Sequence, residues 1–209
     1  SKCNQISKLD NADSLREYDA ALASGEVVTS ALLALELQAL GVNAKSMQGW
    51  QVPIKTDSVY SNAQALEVDP DRLKHMLNNG ITPVVTGFQG INIHGDITTL
   101  GKGGSDTSAA IIAASLKADR CDIYTDVEGI YSADPRIVHD AKKMDVINID
   151  ELCILCSSGA KILHPRAALA AKRYGFEMRI LSSFSSNSGT IVETKEVDME
   201  NRKITAITS

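Results

Sequence analysis

The chain has 209 residues, 44% hydrophobic and 22% charged, which is the composition of a folded globular protein and excludes wholesale disorder. A net charge of −5 and a pI near 5.4 argue against a nucleic-acid partner, though not against a local basic pocket for one nucleotide. The longest apolar runs, 31–35 and 109–114, are short of the roughly 20 residues that span a bilayer. The N-terminus has no signal-peptide core, and four cysteines (Cys3, Cys121, Cys153, Cys156) are too few for a disulfide scaffold. No membrane partner and a reduced, cytoplasmic setting are therefore expected.

In chain order, the first dozen residues read as a loop. Ser24-Gly25-Glu26 then opens a helix with Glu26 in its first turn. Its apolar positions Val28, Ala31, Leu32, Leu35 and Ala39 recur at helical spacing, and Gly41 stops it. Residues 42–47 suit a short strand and 49–53 a turn. Asp69-Pro70-Asp71 starts a second helix, stopped by Asn78-Asn79-Gly80. Residues 81–86 form a strand, 87–90 a loop, and 93–100 a hairpin around His94-Gly95-Asp96. A glycine-rich segment leads into a helix marked by Thr107, Ala110, Ile111, Ala114 and Ala118. Residues 121–125 are a strand, Asp150 begins a helix ending near Gly159, and another runs from about Leu163 to Tyr174, with Pro165 in its first turn and Gly175 behind it. Strands follow at 178–181 and 190–193, and residues 204–207 begin one more. Alternating helices and strands predict an α/β fold, a three-layer αβα sandwich with a mainly parallel open sheet. No linker separates two full domains.

Three segments carry chemistry. In Thr98-Thr99-Leu100-Gly101-Lys102-Gly103-Gly104-Ser105-Asp106, three glycines and a cation precede a helix. Glycines let backbone N–H groups approach an anion, and the helix start adds partial positive charge. An ordinary capped glycine loop fits the same pattern. The segment lacks the Gly-Lys-Ser/Thr order of a phosphate-binding P-loop. In the stretch from Tyr124 to Arg136, a strand ends at Thr125-Asp126 and a loop follows with Tyr131, Ser132, Ala133, Asp134, Pro135 and Arg136. Carboxyl ends of strands are where open α/β sheets bind ligands. A tyrosine face suits a purine, and Arg136 can pair with a phosphate or simply with Asp134. In the third segment, Lys161 stands just before a helix start, where the dipole prefers anions. A bound phosphate would relieve that, and an exposed lysine on a mobile turn is the alternative.

Weaker signals read as structural. Cys153-x-x-Cys156 suits two buried thiols better than a metal site. The four histidines share no ligand spacing, His164 before Pro165 suits a structural role, Trp50 suits core or a pocket wall, and Lys142-Lys143 a solvated pair.

Together, Leu22-Ala23-Ser24-Gly25-Glu26, Gly87-Phe88-Gln89-Gly90, the glycine-rich segment, the 121–136 stretch, Gly159-Ala160-Lys161-Ile162-Leu163-His164-Pro165-Arg166 and Arg179-Ile180-Leu181-Ser182-Ser183-Phe184 resemble the aspartokinases of the amino-acid kinase family. The resemblance implies transfer of the ATP γ-phosphoryl group to the side-chain carboxylate of L-aspartate, the first step toward lysine, threonine and methionine. It places Glu26 at the substrate ammonium. Lys102, Gly103, Gly104, Ser105 and Asp106 would hold the amino-acid carboxylate end and neighbouring phosphoryl oxygens. Thr125, Asp126, residues 131–136 and Lys161 would line the ATP site, with Mg2+ arriving on ATP. It also implies a homodimer. Asp106 and Lys161 are the expected catalytic residues, Asp106 as an organiser, because a carboxylate nucleophile needs no strong base.

Two departures stand out. The family usually has arginine where this chain has Lys102. The family also opens on a strand and Lys-Phe-Gly-Gly-Thr-Ser, which this chain does not contain. It therefore reads as a partial kinase domain over 1–203, with an amino-acid-binding part to about 118, a nucleotide-binding part beyond, and the start of a regulatory region at 204–209. Such a fragment is expected to be inactive alone. A kinase for glutamate or acetylglutamate, or a non-catalytic ATP-binding or assembly module, are the competing readings.

Overall fold

The computed structural model describes residues 11–160 and 162–194. The strand expected at 204–207, the regulatory start at 204–209 and Lys161 lie outside those residues. The described chain is mixed α/β with parallel strand pairs, and it divides into two compact units, Ser1–Ser108 and Ala109–Ser209. The division falls inside a helix.

The first unit begins with helix α1 (Ala12–Ala39), twelve residues earlier than the sequence suggested. Asn11 and Ser14 form a reciprocal capping box, which satisfies the orphan amides of the first turn and fixes the start. Ser24-Gly25 therefore lies in mid-helix, and Glu26 is not in a first turn. The packed face is also not the one expected. Asp19, Ala23, Ser30 and Ala34 are buried, whereas Val28, Leu32 and Leu35 are more than half exposed. Small residues let the helix lie close against strands β1 (Ala44–Met47), β4 (Thr82–Val85) and β6 (Ile97–Thr99). By length and hydropathy α1 would suffice to cross a membrane, with a mean hydropathy of 1.5 over its best window. The isolated apolar runs had concealed this, because alanine, valine and leucine are interspersed with polar residues. Its buried stripe nevertheless carries a carboxylate and a hydroxyl bonded within the unit.

Strands β1 and β4 pair in parallel. A separate four-stranded sheet has the order β3-β2-β5-β6, with β2 (Ile54–Thr56) parallel to β5 (Gln89–Ile91) and antiparallel to β3 (Ala65–Val68). The expected hairpin exists, but its first strand is β5, earlier than 93 and beginning within the supposed 87–90 loop. Gly90 explains why: a Cβ there would sit 2.5 Å from the Ile54 carbonyl oxygen, so only glycine lets β5 approach β2 this closely. Helix α2 (Asp71–Asn78) buries Leu73 and Met76 and ends before Gly80, as expected.

Helix α3 (Gly104–Leu116) starts within the glycine-rich segment. The second unit contains one sheet of order β7-β9-β10-β8. Strand β7 (Arg120–Thr125) runs parallel to β9 (Glu177–Ser182), which is antiparallel to β10 (Thr190–Glu193). β10 is in turn parallel to β8 (Val146–Asn148). Helices α4 (Ile149–Ser157) and α5 (Pro165–Tyr174) pack on each other, and α4 packs on β8 and β10. One apolar core joins Ala110 and Ala113 of α3 to Ile123, Leu152, Ala167, Met178, Ile180 and Val192. Its many alanines seat helices closely on a sheet that has few aromatic residues to fill gaps. His164 takes the structural role expected of it: its Nδ1 accepts from the Arg166 amide as the N-cap of α5, with Pro165 in the first turn and Gly175 left-handed at the end.

Candidate functional site

In the first unit, the Gly101–Gly104 turn follows β6 directly. Gly101 and Gly103 have φ of 73° and 69°, so the backbone reverses twice within three residues. The Gly104 amide donates to the Gly101 carbonyl. The Thr107 amide and hydroxyl both donate to Gly103, which locks the first turn of α3. Gly104 is buried against Phe88: a Cβ would meet the Phe88 ring at 2.7 Å and Leu100 at 3.0 Å. The Phe88 amide donates to the Ser108 hydroxyl, and Gly87 lies against Ser105. The end of β4, the 86–88 segment and the start of α3 are thus one braced assembly. Ser105 and Lys102 are exposed on it, and Asp106 is half-buried in the first helical turn.

Glu26 is half-buried on the packed stripe of α1, three residues past Ala23. Among the described residues neither the Glu26 carboxylate nor the Lys102 ammonium has a hydrogen-bonding or ionic partner. One unit therefore offers an unpaired anion, an unpaired cation and a helix start, which are the groups that an amino acid's ammonium and carboxylates would meet. Buried Gln89 fixes α1 further by donating to the Ala23 carbonyl.

In the second unit, β7 and β9 end side by side at Thr125 and Ser182, joined beyond the ladder by the Ser183 amide donating to the Thr125 carbonyl. The Thr125 hydroxyl donates to the Asp126 carboxylate at 3.2 Å. The 126–145 loop that follows is tied down at its base. Thr190 is fully buried; its hydroxyl accepts from the Ile130 amide and donates to the Met144 carbonyl. Tyr131 bridges to Lys143, and the Ser132 amide donates to the Lys142 carbonyl. Lys143 is not the solvated residue expected: its Nζ holds the Gly189 carbonyl at 2.7 Å and pairs with Asp145. Tyr131, Ser132, Ala133 and Asp134 are thereby brought into a half-buried surface beyond the strand ends, with Pro135 and Arg136 exposed beside it.

Of the two readings open for Arg136, the pairing with Asp134 is formed. The guanidinium makes a two-point contact at 3.0 and 2.7 Å, and those hydrogen bonds hold it above its ordinary pKa. It remains exposed and retains free donors for an oxyanion. Trp50 is not core; it is exposed, with its indole N–H on Gln48. Cys156 is buried as expected, while Cys153 is only partly so, and burial pushes its thiol pKa up.

Replacing Thr190 by valine is expected to cost about 1–3 kcal/mol, because it leaves a buried amide and a part-buried carbonyl without their partner at the root of the loop. Urea unfolding of the Thr190→Val protein checks this. A cost below about 0.5 kcal/mol would mean that the loop is anchored elsewhere.

Sequence reasoning missed Asp19, Gln89 and Thr190, whose roles depend on partners forty to eighty residues away.

Known proteins share the sequence and the fold of this chain. The sequence profile of the amino acid kinase family matches residues 2–182. The aspartokinase of Rickettsia bellii is 53% identical over 208 residues, 99% of this chain and 51% of that protein. The crystal structure of aspartate kinase from Synechocystis is 48% identical, with a TM-score of 0.75 over 90% of this chain and 30% of that one. E. coli aspartokinase III in complex with aspartate and ADP is 34% identical, with a TM-score of 0.81 over 87% of this chain and 42% of that one. The chain spans about half the length of the curated relatives it matches. On the family match and the fold it adopts, the chain belongs to the amino acid kinase family.

Proposed function

We propose that the protein is an aspartokinase, which moves the γ-phosphoryl group of ATP to the side-chain carboxylate of L-aspartate. The observation that carries this reading is a unit that holds an unpaired Glu26 carboxylate on α1 and an unpaired Lys102 ammonium in a glycine turn at a helix start, in a chain half identical to aspartokinases. The relative of known structure that binds aspartate and ADP supports the same substrates here.

In this reading Glu26 receives the ammonium of aspartate, and Lys102 with the Gly103-Gly104-Ser105 backbone receives carboxylate and phosphoryl oxygens. The aspartate carboxylate is ionised near neutral pH, so its oxygen attacks the γ-phosphorus without a base, the bond to the β-phosphate oxygen breaks, and ADP leaves. Lys102 and the start of α3 stabilise the charge on the moving group. Asp106 organises the turn. Thr125, Asp126, the 131–136 segment and Lys161 hold the nucleotide. Among the described residues no three His, Cys, Asp or Glu gather as a metal cage. Asp126, exposed at the end of β7, suits Mg2+ that is carried mainly on the ATP phosphates. A cytoplasmic homodimer serving lysine and threonine synthesis accords with this activity.

The test is a substrate panel with the full-length protein. ADP release should depend on L-aspartate, with glutamate and N-acetylglutamate at background. Preference for glutamate or acetylglutamate would replace this reading by another carboxylate kinase, and nucleotide binding without turnover would replace it by a non-catalytic module.

Lys102 carries a prediction of its own. Arginine would add a planar two-point grip that lysine lacks. Lys102→Arg should therefore lower the KM for aspartate by about three- to tenfold. Initial-rate kinetics read this, and an unchanged or higher KM would remove Lys102 from the carboxylate site.

A further inference from the structure

Asp19 is a carboxylate with no exposed surface, on the packed stripe of α1. It accepts three hydrogen bonds. Its Oδ2 takes the Ser61 amide at 2.8 Å and the Thr99 amide at 2.9 Å, and its Oδ1 takes the Thr99 hydroxyl at 2.7 Å. A buried charge is costly, and three donors converging on it offset that cost only because each is held in place. The two segments it joins meet where the glycine turn begins. Thr99 is the last residue of β6, and its carbonyl accepts from the Ala63 amide. Ser61 adopts a left-handed φ of 63°, rare for a residue with a side chain, and its amide is one of those Asp19 holds. Gly101 is pressed onto this joint. A Cβ there would lie 2.9 Å from Asn62 Oδ1 and 3.0 Å from the Ser61 carbonyl oxygen.

Glu26 lies seven residues further along the same helix. Seven residues are almost two full turns, so both carboxylates project from one face about 10 Å apart along the axis. One rigid helix therefore carries the proposed ammonium contact and, through Asp19, fixes the root of the turn that carries Lys102. We propose that Asp19 is a positioning residue that sets the separation between Glu26 and the Lys102 turn, and thereby selects the length of the amino-acid substrate. The assignment rests on the aspartokinase reading for its kinetic consequence, but not for its structural one.

Three variants of the full-length protein test it. Asp19→Ala removes all three acceptors. Asp19→Asn keeps an oxygen for the two amides and lets its NH2 group donate to the Thr99 hydroxyl. Thr99→Val removes only the hydroxyl contact. Leu73→Ala, a buried residue of α2, is the control for general destabilisation. Asp19→Ala should raise the aspartate KM roughly ten- to a hundredfold and leave the ATP KM within about threefold, because a displaced binding group penalises one substrate only. Thr99→Val should raise it about threefold, and Asp19→Asn should recover most of the loss. Hydrogen exchange of the 101–105 amides should be at least about tenfold faster in Asp19→Ala than in Leu73→Ala. If Asp19→Ala does not fold, Thr99→Val set against Asp19→Asn decides the question by the same readouts.

Both KM values rising together, exchange at 101–105 no faster than in Leu73→Ala, or a folded Asp19→Asn without rescue would each overturn the proposal. If the unsubstituted protein does not phosphorylate aspartate, the aspartokinase reading fails, and the exchange comparison alone decides whether Asp19 fixes the turn.

Discussion

Replacing Gly189 by alanine is expected to lower the stability of the second unit by about 3–5 kcal/mol, a large part of what a domain of this size possesses. Two effects combine. Gly189 has a left-handed φ of 65°, which costs a residue with a side chain about 1–2 kcal/mol. A Cβ there would also sit 2.1 Å from the Ile180 carbonyl oxygen and 2.8 Å from Leu181 Cδ2. The overlap with Ile180 cannot be relieved by a side-chain rotation, because that atom is backbone in the middle of β9, where Thr190 pairs with Ile180. β9 and β10 would have to separate, and with them would move the Thr190 hydroxyl and the Gly189 carbonyl that anchor the 126–145 loop. Gly175 is the natural comparison. It has a φ of 72° but nothing within 4 Å of an added Cβ, so Gly175→Ala should cost only about 1–2 kcal/mol. Thermal or urea unfolding followed by circular dichroism separates the two. Equal losses would show that the close approach of β10 to Ile180 is not a constraint in solution.

Replacing Glu26 by alanine should reduce kcat/KM for aspartate by about a hundred- to a thousandfold, with the KM for ATP within about threefold. A side chain that is half-buried and has no partner of its own has already lost part of its hydration without recovering it from the protein. An ammonium would supply the missing partner. Removing the carboxylate leaves that ammonium desolvated and unpaired, a cost typical of truncating one partner of a buried charge pair. Glu26→Gln, which keeps the size and a hydrogen-bond acceptor but not the charge, should fall in between. Initial rates over a range of aspartate concentrations, together with a melting curve to exclude unfolding, measure the effect. A change of less than about threefold in kcat/KM would take Glu26 out of the substrate site.

How much of this could be read from the sequence depended on whether a signal was local. The bounds of β10 at 190–193 and the end of α5 at Tyr174 were visible in advance, because β-branched residues and Gly175 act within a few positions. The glycine-rich turn was equally visible, since its reversals need glycine at Gly101 and Gly103 whatever surrounds them. Helix α1 was misplaced because Asn11 and Ser14 are an inconspicuous cap, whereas Ser24-Gly25-Glu26 imitates one. Its inward face was inverted because apolar periodicity identifies the larger side chains, and here the small ones pack. The three- and four-residue strands β2, β3 and β8 have no pattern of their own and are created by their partners. The same holds for the supports of the site: Asp19, Gln89 and Lys143 look like ordinary polar residues until the chain brings distant amides and carbonyls to them.

The central claim is the proposal that the full-length protein moves the γ-phosphoryl group of ATP to the side-chain carboxylate of L-aspartate. Phosphorus NMR of the full-length protein with ATP, Mg2+ and L-aspartate tests it most directly. The account predicts an acyl-phosphate signal that appears in step with ADP and vanishes when hydroxylamine is added. ADP accompanied only by inorganic phosphate, with the same yield whether or not aspartate is present, would contradict it.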